Sequence, residues 1–195
     1  MRDLLIVGVG GTTRAGSSSE AALRIAMEAA ERLGARTQIF AGRAIALPMF
    51  TPERSERGAD ATAFIAALRR ADGVIISSPG YHGSISGLIK NALDYTEDMR
   101  DDRRPYFDER AVGCIACAAG WQAAGSTLSA LRSVIHALRG WPTPFGVGIN
   151  TSEYMFGEGR RVDPELQRQL SIVGSQVVEF AELRRVHCDA REASM

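Results

Sequence analysis

The sequence has no excess of either charge: 23 Lys and Arg balance 23 Asp and Glu over 195 residues. A nucleic-acid binder needs surplus positive charge to displace counterions, and a polybasic membrane anchor needs it locally, so neither class is expected. No apolar run approaches the roughly 20 residues that span a bilayer. The first residues, "MRDLLIVGVGG", carry one basic residue and a short apolar run that ends in glycines. A signal peptide needs a longer apolar stretch and a small-residue cleavage site, so this segment reads as a first strand. Cysteine is also scarce. Cys114, Cys117 and Cys188 are too few, and odd in number, for a disulfide framework, which points to reduced thiols and a cytoplasmic protein.

Several motifs are missing in ways that exclude chemistry. Cys114-Ile-Ala-Cys117 spells C-x-x-C inside an expected strand, where residues three apart face opposite sides, so the pair reads as two small core residues. No second Cys/His pair stands at ligand spacing, and no metal is expected. The lysine of a Walker loop is absent, and Thr13 stands where G-x-G-x-x-G requires its third glycine. "GSISG" at residues 83–87 puts Ile85 where a serine hydrolase needs its nucleophile.

What is present is an alternation of strand and helix. Leu4–Val7, Thr37–Phe40, Val74–Ser77, Ala111–Ala118 and Pro144–Ile149 read as strands. Between them, apolar residues recur at helical spacing, as in Ala22, Leu23, Ala26, Met27 and Ala30, or Leu128, Leu131, Val134, Ile135 and Leu138. Asp60 is expected to cap a helix over Phe64 and Leu68, and Asp163-Pro164 to open a last one over Leu166, Leu170, Val173, Val177 and Phe180. Residues 96–110 are crowded with both charges and read as a solvated loop. Five alternations without a linker predict a single domain over residues 1–195: a flavodoxin-like α/β/α sandwich with a five-stranded parallel sheet in the order 2-1-3-4-5. Ligands of such sheets bind beyond the carboxyl ends of the strands.

Three loops are expected at that edge. "GGTTRAGSSSE" enters a helix whose free amides favour an anion, with Thr12, Ser17, Ser18 and Ser19 as hydroxyl donors and Arg14 as a cation. "PGYHGS" follows the third strand. There Pro79 is expected to end the strand, Gly80 and Gly83 to let backbone approach a flat ligand, and Tyr81, His82 and Ser84 to line the mouth. "AAGWQAAGS" follows the fourth strand and offers Gly120, Trp121 and the two-way hydrogen bonding of Gln122. A phosphate cradle beside two glycine-relieved aromatic loops fits a mononucleotide, and FMN best, with its terminal phosphate and large flat ring.

These three segments, in this order, resemble the NADPH-dependent FMN reductase family over roughly residues 4–150. The most specific part is Pro79, Tyr81, Gly83, Ser84, Gly87, Lys90 and Asn91 in a Pro-x-Tyr-x-Gly-Ser-x-x-Gly-x-x-Lys-Asn pattern. The resemblance implies FMN phosphate at Thr12, Arg14, Ser17 and Ser19, and the flavin ring at Pro79–Ser84 and Gly120–Gln122. It implies hydride transfer from NADPH or NADH to FMN, then reduction of a small-molecule acceptor (free flavin, quinone, azo compound or metal oxyanion) by a ping-pong route. No side-chain acid or base is required, so no catalytic residue is named. An arginine is expected at the NADPH 2′-phosphate, with Arg100, Arg103 and Arg104 as candidates. The resemblance also implies a homodimer or homotetramer, and a flavin-dependent monooxygenase as a possible recipient of reduced flavin. Tyr154, Met155 and Phe156 are candidates for an interface or the substrate pocket. The alternative is a flavodoxin-like electron carrier without a nicotinamide site, which zero net charge disfavours because carriers are usually acidic.

Overall fold

The computed structural model describes residues 4–154 and 162–192. Met155 and Phe156 lie outside the described residues, as does the side chain of Cys188. The elements are β1 (Leu5–Gly10), α1 (Ser18–Arg32), β2 (Arg36–Ala41), α2 (Ala59–Arg70), β3 (Gly73–Tyr81), β4 (Ser84–Ile85), α3 (Gly87–Asp94), β5 (Ala111–Ala118), α4 (Trp121–Ala137), β6 (Trp141–Pro142), β7 (Val147–Asn150) and α5 (Pro164–Glu192). No helix among the described residues is long and apolar enough to cross a membrane.

The sheet runs β2-β1-β3-β5-β6, and β7 also pairs with β5. The first four core strands therefore follow the expected order. The fifth position is split: β6 pairs with the start of β5 and β7 with its end, all in parallel. Pro142 and Pro144, which cannot donate to a ladder, explain why the strand does not run through from residue 141 to 150.

Alternation along the strands separates two cores. Val7, Val9, Val74, Ile76, Val112 and Cys114 face Phe64 and Leu68 of α2, Ile89 and Leu93 of α3, and Leu131 and Ile135 of α4. Ile6, Ile75, Ile115 and Cys117 face Leu23 and Met27 of α1 and Leu170, Val173 and Val177 of α5. Both faces are covered, which is why these strands read as continuous apolar runs. Cys114 and Cys117 fall in opposite cores, as their spacing predicts. At the α1–α5 contact Gly174 lies on the Ala26 carbonyl, closer than any Cβ could sit.

Three expectations need correction. Asp60 does not cap α2: Gly58 is the cap residue, and Asp60 sits in the first turn. Residues 96–110 are not a solvated loop. They hold a short 3-10 helix (Tyr95–Met99), and Met99, Phe107 and Arg110 are fully buried. The charges conceal these three from a composition argument. Pro79 does not end β3, which continues to Tyr81. Pairing with β1 stops at Ser77, so Pro79 lies where β1 no longer asks for an amide.

Candidate functional site

Four segments meet where the strands end. A cleft of about 290 Å³ is lined by Thr12, Arg14, Ser17, Ser18 and Ser19 after β1, and by Pro79, Gly80 and Tyr81 at the end of β3. Cys117, Ala118 and Ala119 at the end of β5 and Thr151 after β7 complete it. This is the carboxyl edge at which such sheets bind ligands.

The first wall is set by the start of α1. Ser17 is its cap, with its Oγ accepting from the Glu20 amide at 3.3 Å and lying 3.3 Å from Ser19 Oγ. Those two hydroxyls are buried and committed to each other and to the helix. The amides of Ser18 and Ser19 have no intrahelical carbonyl to bond, as at any helix start. Thr12 Oγ1 accepts from the Arg14 amide at 3.1 Å and so turns the chain, leaving the Arg14 side chain exposed. No carboxylate among the described residues pairs with it. Amide donors, a hydroxyl-bearing turn and an unpaired guanidinium suit an anion.

The second wall is a strand end. Tyr81 pairs with Ser84, leaving His82 and Gly83 as a two-residue turn with φ of 52° and 85°. Both positive angles match the hairpin turn that follows strand twist. Tyr81, at 55% exposure, keeps most of its ring in solvent at the cleft's mouth. His82, Gly83 and Ser84 are exposed and do not line the cleft. Gly80 does, but a Cβ there would run into Thr127 of α4 and come 3.0 Å from Ala118 Cβ. Its bareness is demanded by packing behind the strand. Ser78 Oγ accepts from the Ser86 amide at 3.1 Å, and Ser86 caps α3, which fixes this hairpin to the next helix.

The third wall differs most from expectation. Ala118 and Ala119 line the cleft, but Gly120, Trp121 and Gln122 do not. Gly120 has φ 115° and ψ 146°, a conformation essentially reserved for glycine, with nothing near its missing Cβ. Trp121 Nε1 donates to Glu153 Oε1 at 2.8 Å, and its ring meets Tyr154 edge-on at 6.2 Å between centroids. Asn150, buried at the end of β7, ties the arrangement together. Its Oδ1 accepts from the Gly120 amide at 2.8 Å, and its Nδ2 donates to Glu153 Oε1 at 2.7 Å. Thr151, Asn150 and Glu153 were not singled out in the sequence. The rule that sites form beyond the carboxyl ends of strands would have found Thr151, had the fifth strand been seen to end at residue 150 rather than 149.

Other candidates lie elsewhere. Asn91 accepts from the Phe50 amide at 2.8 Å and donates to the Leu47 and Pro48 carbonyls, so it anchors the loop after β2. Lys90 pairs with Asp94 one helical turn on. Arg103 and Arg104 gather with Arg69, Asp102 and Arg110 around a separate cavity of about 230 Å³. Arg104 donates to the carbonyl of Ala71, just before β3 begins. Nine strand residues at ~3.3 Å each put that cavity roughly a full sheet's length from the cleft. Arg100, engaged with Glu97 and Asp101 after the 3-10 helix, belongs to the same end. None of the three arginines serves the cleft of its own chain. Among the described residues no group of three or more His, Cys, Asp or Glu is placed to hold a metal ion.

Fold and cleft together define a flavodoxin-like protein with its ligand edge at the strand termini. The chain belongs to the NADPH-dependent FMN reductase family, whose model matches residues 4–153. An FMN-dependent NADPH-azoreductase of Staphylococcus aureus is 32% identical over 113 residues, which cover 56% of each chain. The match thus spans about half the length of that curated relative. Among solved structures, the flavoenzyme NAD(P)H:(acceptor) oxidoreductase FerB of Paracoccus denitrificans superposes with a TM-score of 0.72 at 18% identity, covering 93% of this chain and 98% of that one. A flavodoxin of Streptococcus pneumoniae TIGR4 gives 0.60 at 13% identity, covering 90% and 98%. At these identities the two structures speak for the fold alone.

Proposed function

We propose that this protein is an NAD(P)H-dependent flavin oxidoreductase that binds FMN in the cleft and reduces a second small molecule. The carrying observation is the cleft itself: an anion cradle at the start of α1 facing the strand end at Pro79–Tyr81, across a floor of Cys117–Ala119. That donor set fits the group. The free amides of Ser18 and Ser19 and the Arg14 guanidinium suit a terminal phosphate, and the backbone of Gly80 and Ala119 suits the polar edge of a flat ring. FMN held there would supply the redox chemistry, a two-electron exchange between a nicotinamide and a small-molecule acceptor in a ping-pong cycle.

The chain's own residues then bind and orient. Arg14 and the α1 turn would hold the phosphate. Pro79 stiffens the strand end that would face the ring. Cys117 contributes a neutral, buried thiol to the floor, because burial pushes it up to about 12. Tyr81 stands at the open mouth and limits what can stack there. Trp121, held by Glu153 beside Tyr154, stands at the start of α4, two residues past Ala119 on the cleft floor. No side chain lining the cleft is a carboxylate, histidine or lysine, which suits a transfer needing no protein acid or base.

The acceptor belongs to the class of quinones, azo compounds, free flavins or metal oxyanions. The active form is a homodimer or homotetramer of a one-domain chain in the cytoplasm, and a flavin-dependent monooxygenase is a candidate recipient of reduced flavin. The decisive experiment is anaerobic stopped-flow mixing of the FMN-loaded protein with NADPH, followed by steady-state rates against that acceptor panel. Rapid bleaching of the flavin band supports the reductase. A flavin that binds but does not bleach marks an electron carrier.

A further inference from the structure

The turn that would hold the phosphate also holds a carboxylate. Glu20 is the third residue of α1. Its Oε2 folds back to accept from the Gly16 amide at 3.2 Å, while its own amide donates to Ser17 Oγ. This is the reciprocal pattern of a capping box, reaching one residue further back than usual. Its Oε1 accepts from Arg24 Nη2 at 2.7 Å and Nε at 3.1 Å. The Glu20 side chain is only 12% exposed, and it lies against Gly11, where an added Cβ would meet Glu20 Cβ at 3.2 Å. The amide of Gly16, in the turn that leads into the cradle, is therefore taken by an anion of the chain's own, and Arg24 is spent neutralising it. Of the three charges on this turn and the first turns of α1, only Arg14 is left uncompensated.

We infer that the Glu20–Arg24 pair sets the affinity of this turn for the flavin phosphate, keeping FMN exchangeable rather than permanently held. The inference rests on the FMN reading of the cleft. A carboxylate on the residue that follows the Ser18 and Ser19 amides would repel a phosphate of charge about −2 held by them, and the partly exposed Arg24 offsets this only in part. Glu20 has a second role, since it orders the turn. Glu20→Gln separates the two, because the amide oxygen of Gln still accepts from Gly16 while the charge is gone.

The test is a fluorescence titration of the full chain with FMN and with riboflavin, which lacks only the phosphate. It is run for the wild type, Glu20→Gln and the surface variant Arg24→Gln, at low salt and at ~0.5 M salt. At low salt Glu20→Gln should tighten FMN about five- to tenfold, and Arg24→Gln should weaken it by a similar factor. Both changes should shrink below about twofold at high salt, where screening acts within a few ångströms. Riboflavin should respond to neither substitution. Desalted Glu20→Gln should stay yellow where the wild type loses flavin. Unchanged FMN affinity in Glu20→Gln overturns the inference, as does an equal change for both flavins, which would mark an altered loop shape. A wild type that binds neither flavin overturns the reading of the cleft, and this inference with it.

Discussion

At the scale of single residues, the site depends on one unpaired cation and the fold on one buried one. Arg14 has no carboxylate partner among the described residues, so Arg14→Gln should weaken FMN by about tenfold while leaving riboflavin unchanged, as read in the same titration. Arg110 is 1% exposed, and its guanidinium donates to the carbonyls of Ala71, Tyr106, Asp108 and Arg69 at 3.0–3.1 Å. Burial, and then neighbouring Arg104, pull its pKa down to about 10, so it remains charged at neutral pH. Arg110→Met removes this donor from the Arg69, Tyr106 and Asp108 carbonyls, while Ala71 keeps Arg104, and should cost about 3 kcal/mol in urea unfolding. Arg110→Lys, with three donors instead of five, should cost less. Cys114 and Cys117 carry a pH prediction. Burial pushes both thiols from 9.0 up to about 12. The unfolded chain therefore releases these protons first, and the associated stability, complete below pH 9, is lost as pH rises through 12. Replacing both by Ala should flatten the alkaline fall in stability measured by denaturant midpoints.

At the scale of elements, sequence patterning identified the regular pieces because their periodicity records burial. The α1 stripe of Ala22, Leu23, Ala26, Met27 and Ala30 and the α5 stripe of Leu166, Leu170, Val173 and Val177 are buried as read, and β5 spans Ala111–Ala118 as expected. What the sequence concealed were features fixed by backbone geometry. His82 and Gly83 form a two-residue hairpin turn, a geometry that the composition of Pro79–Ser84 does not by itself announce. Residues 96–110 looked solvated because Arg110 is a core residue with a surface residue's chemistry. Glycine shows the same split. Gly174→Ala in α5 would drive a methyl group into the Ala26 carbonyl of α1, and a helix backbone cannot step aside. The propensity gain of about 1 kcal/mol is smaller than the overpacking cost, so a net loss of about 2 kcal/mol is expected. Gly125 in α4 has nothing near its missing Cβ, so Gly125→Ala should gain up to about 1 kcal/mol. The opposite signs of these two ΔΔG values in denaturant unfolding check the account of helix packing.

At the scale of the whole molecule, the strand order places the ends of β1, β3, β5 and β7 on one edge, and the cleft follows from that order. Arg14 and Tyr81 were legible as a pair from the loops that carry them, and both line the cleft. Trp121 was not, because its position depends on Glu153 and Asn150, thirty residues away in sequence and brought close only by β7 pairing with β5. Asn150→Ala should release both the Gly120 amide and Glu153. It should raise the KM for a bulky acceptor more than it changes kcat, as measured by steady-state kinetics against two acceptors of different size. The central claim is spatial, so the most direct measurement is a crystal structure of the chain saturated with FMN. The account expects the phosphate on the amides of Ser18 and Ser19 beside Arg14, with the ring edge against Pro79–Tyr81. A phosphate bound away from the α1 turn, or no flavin at saturating FMN, would contradict it.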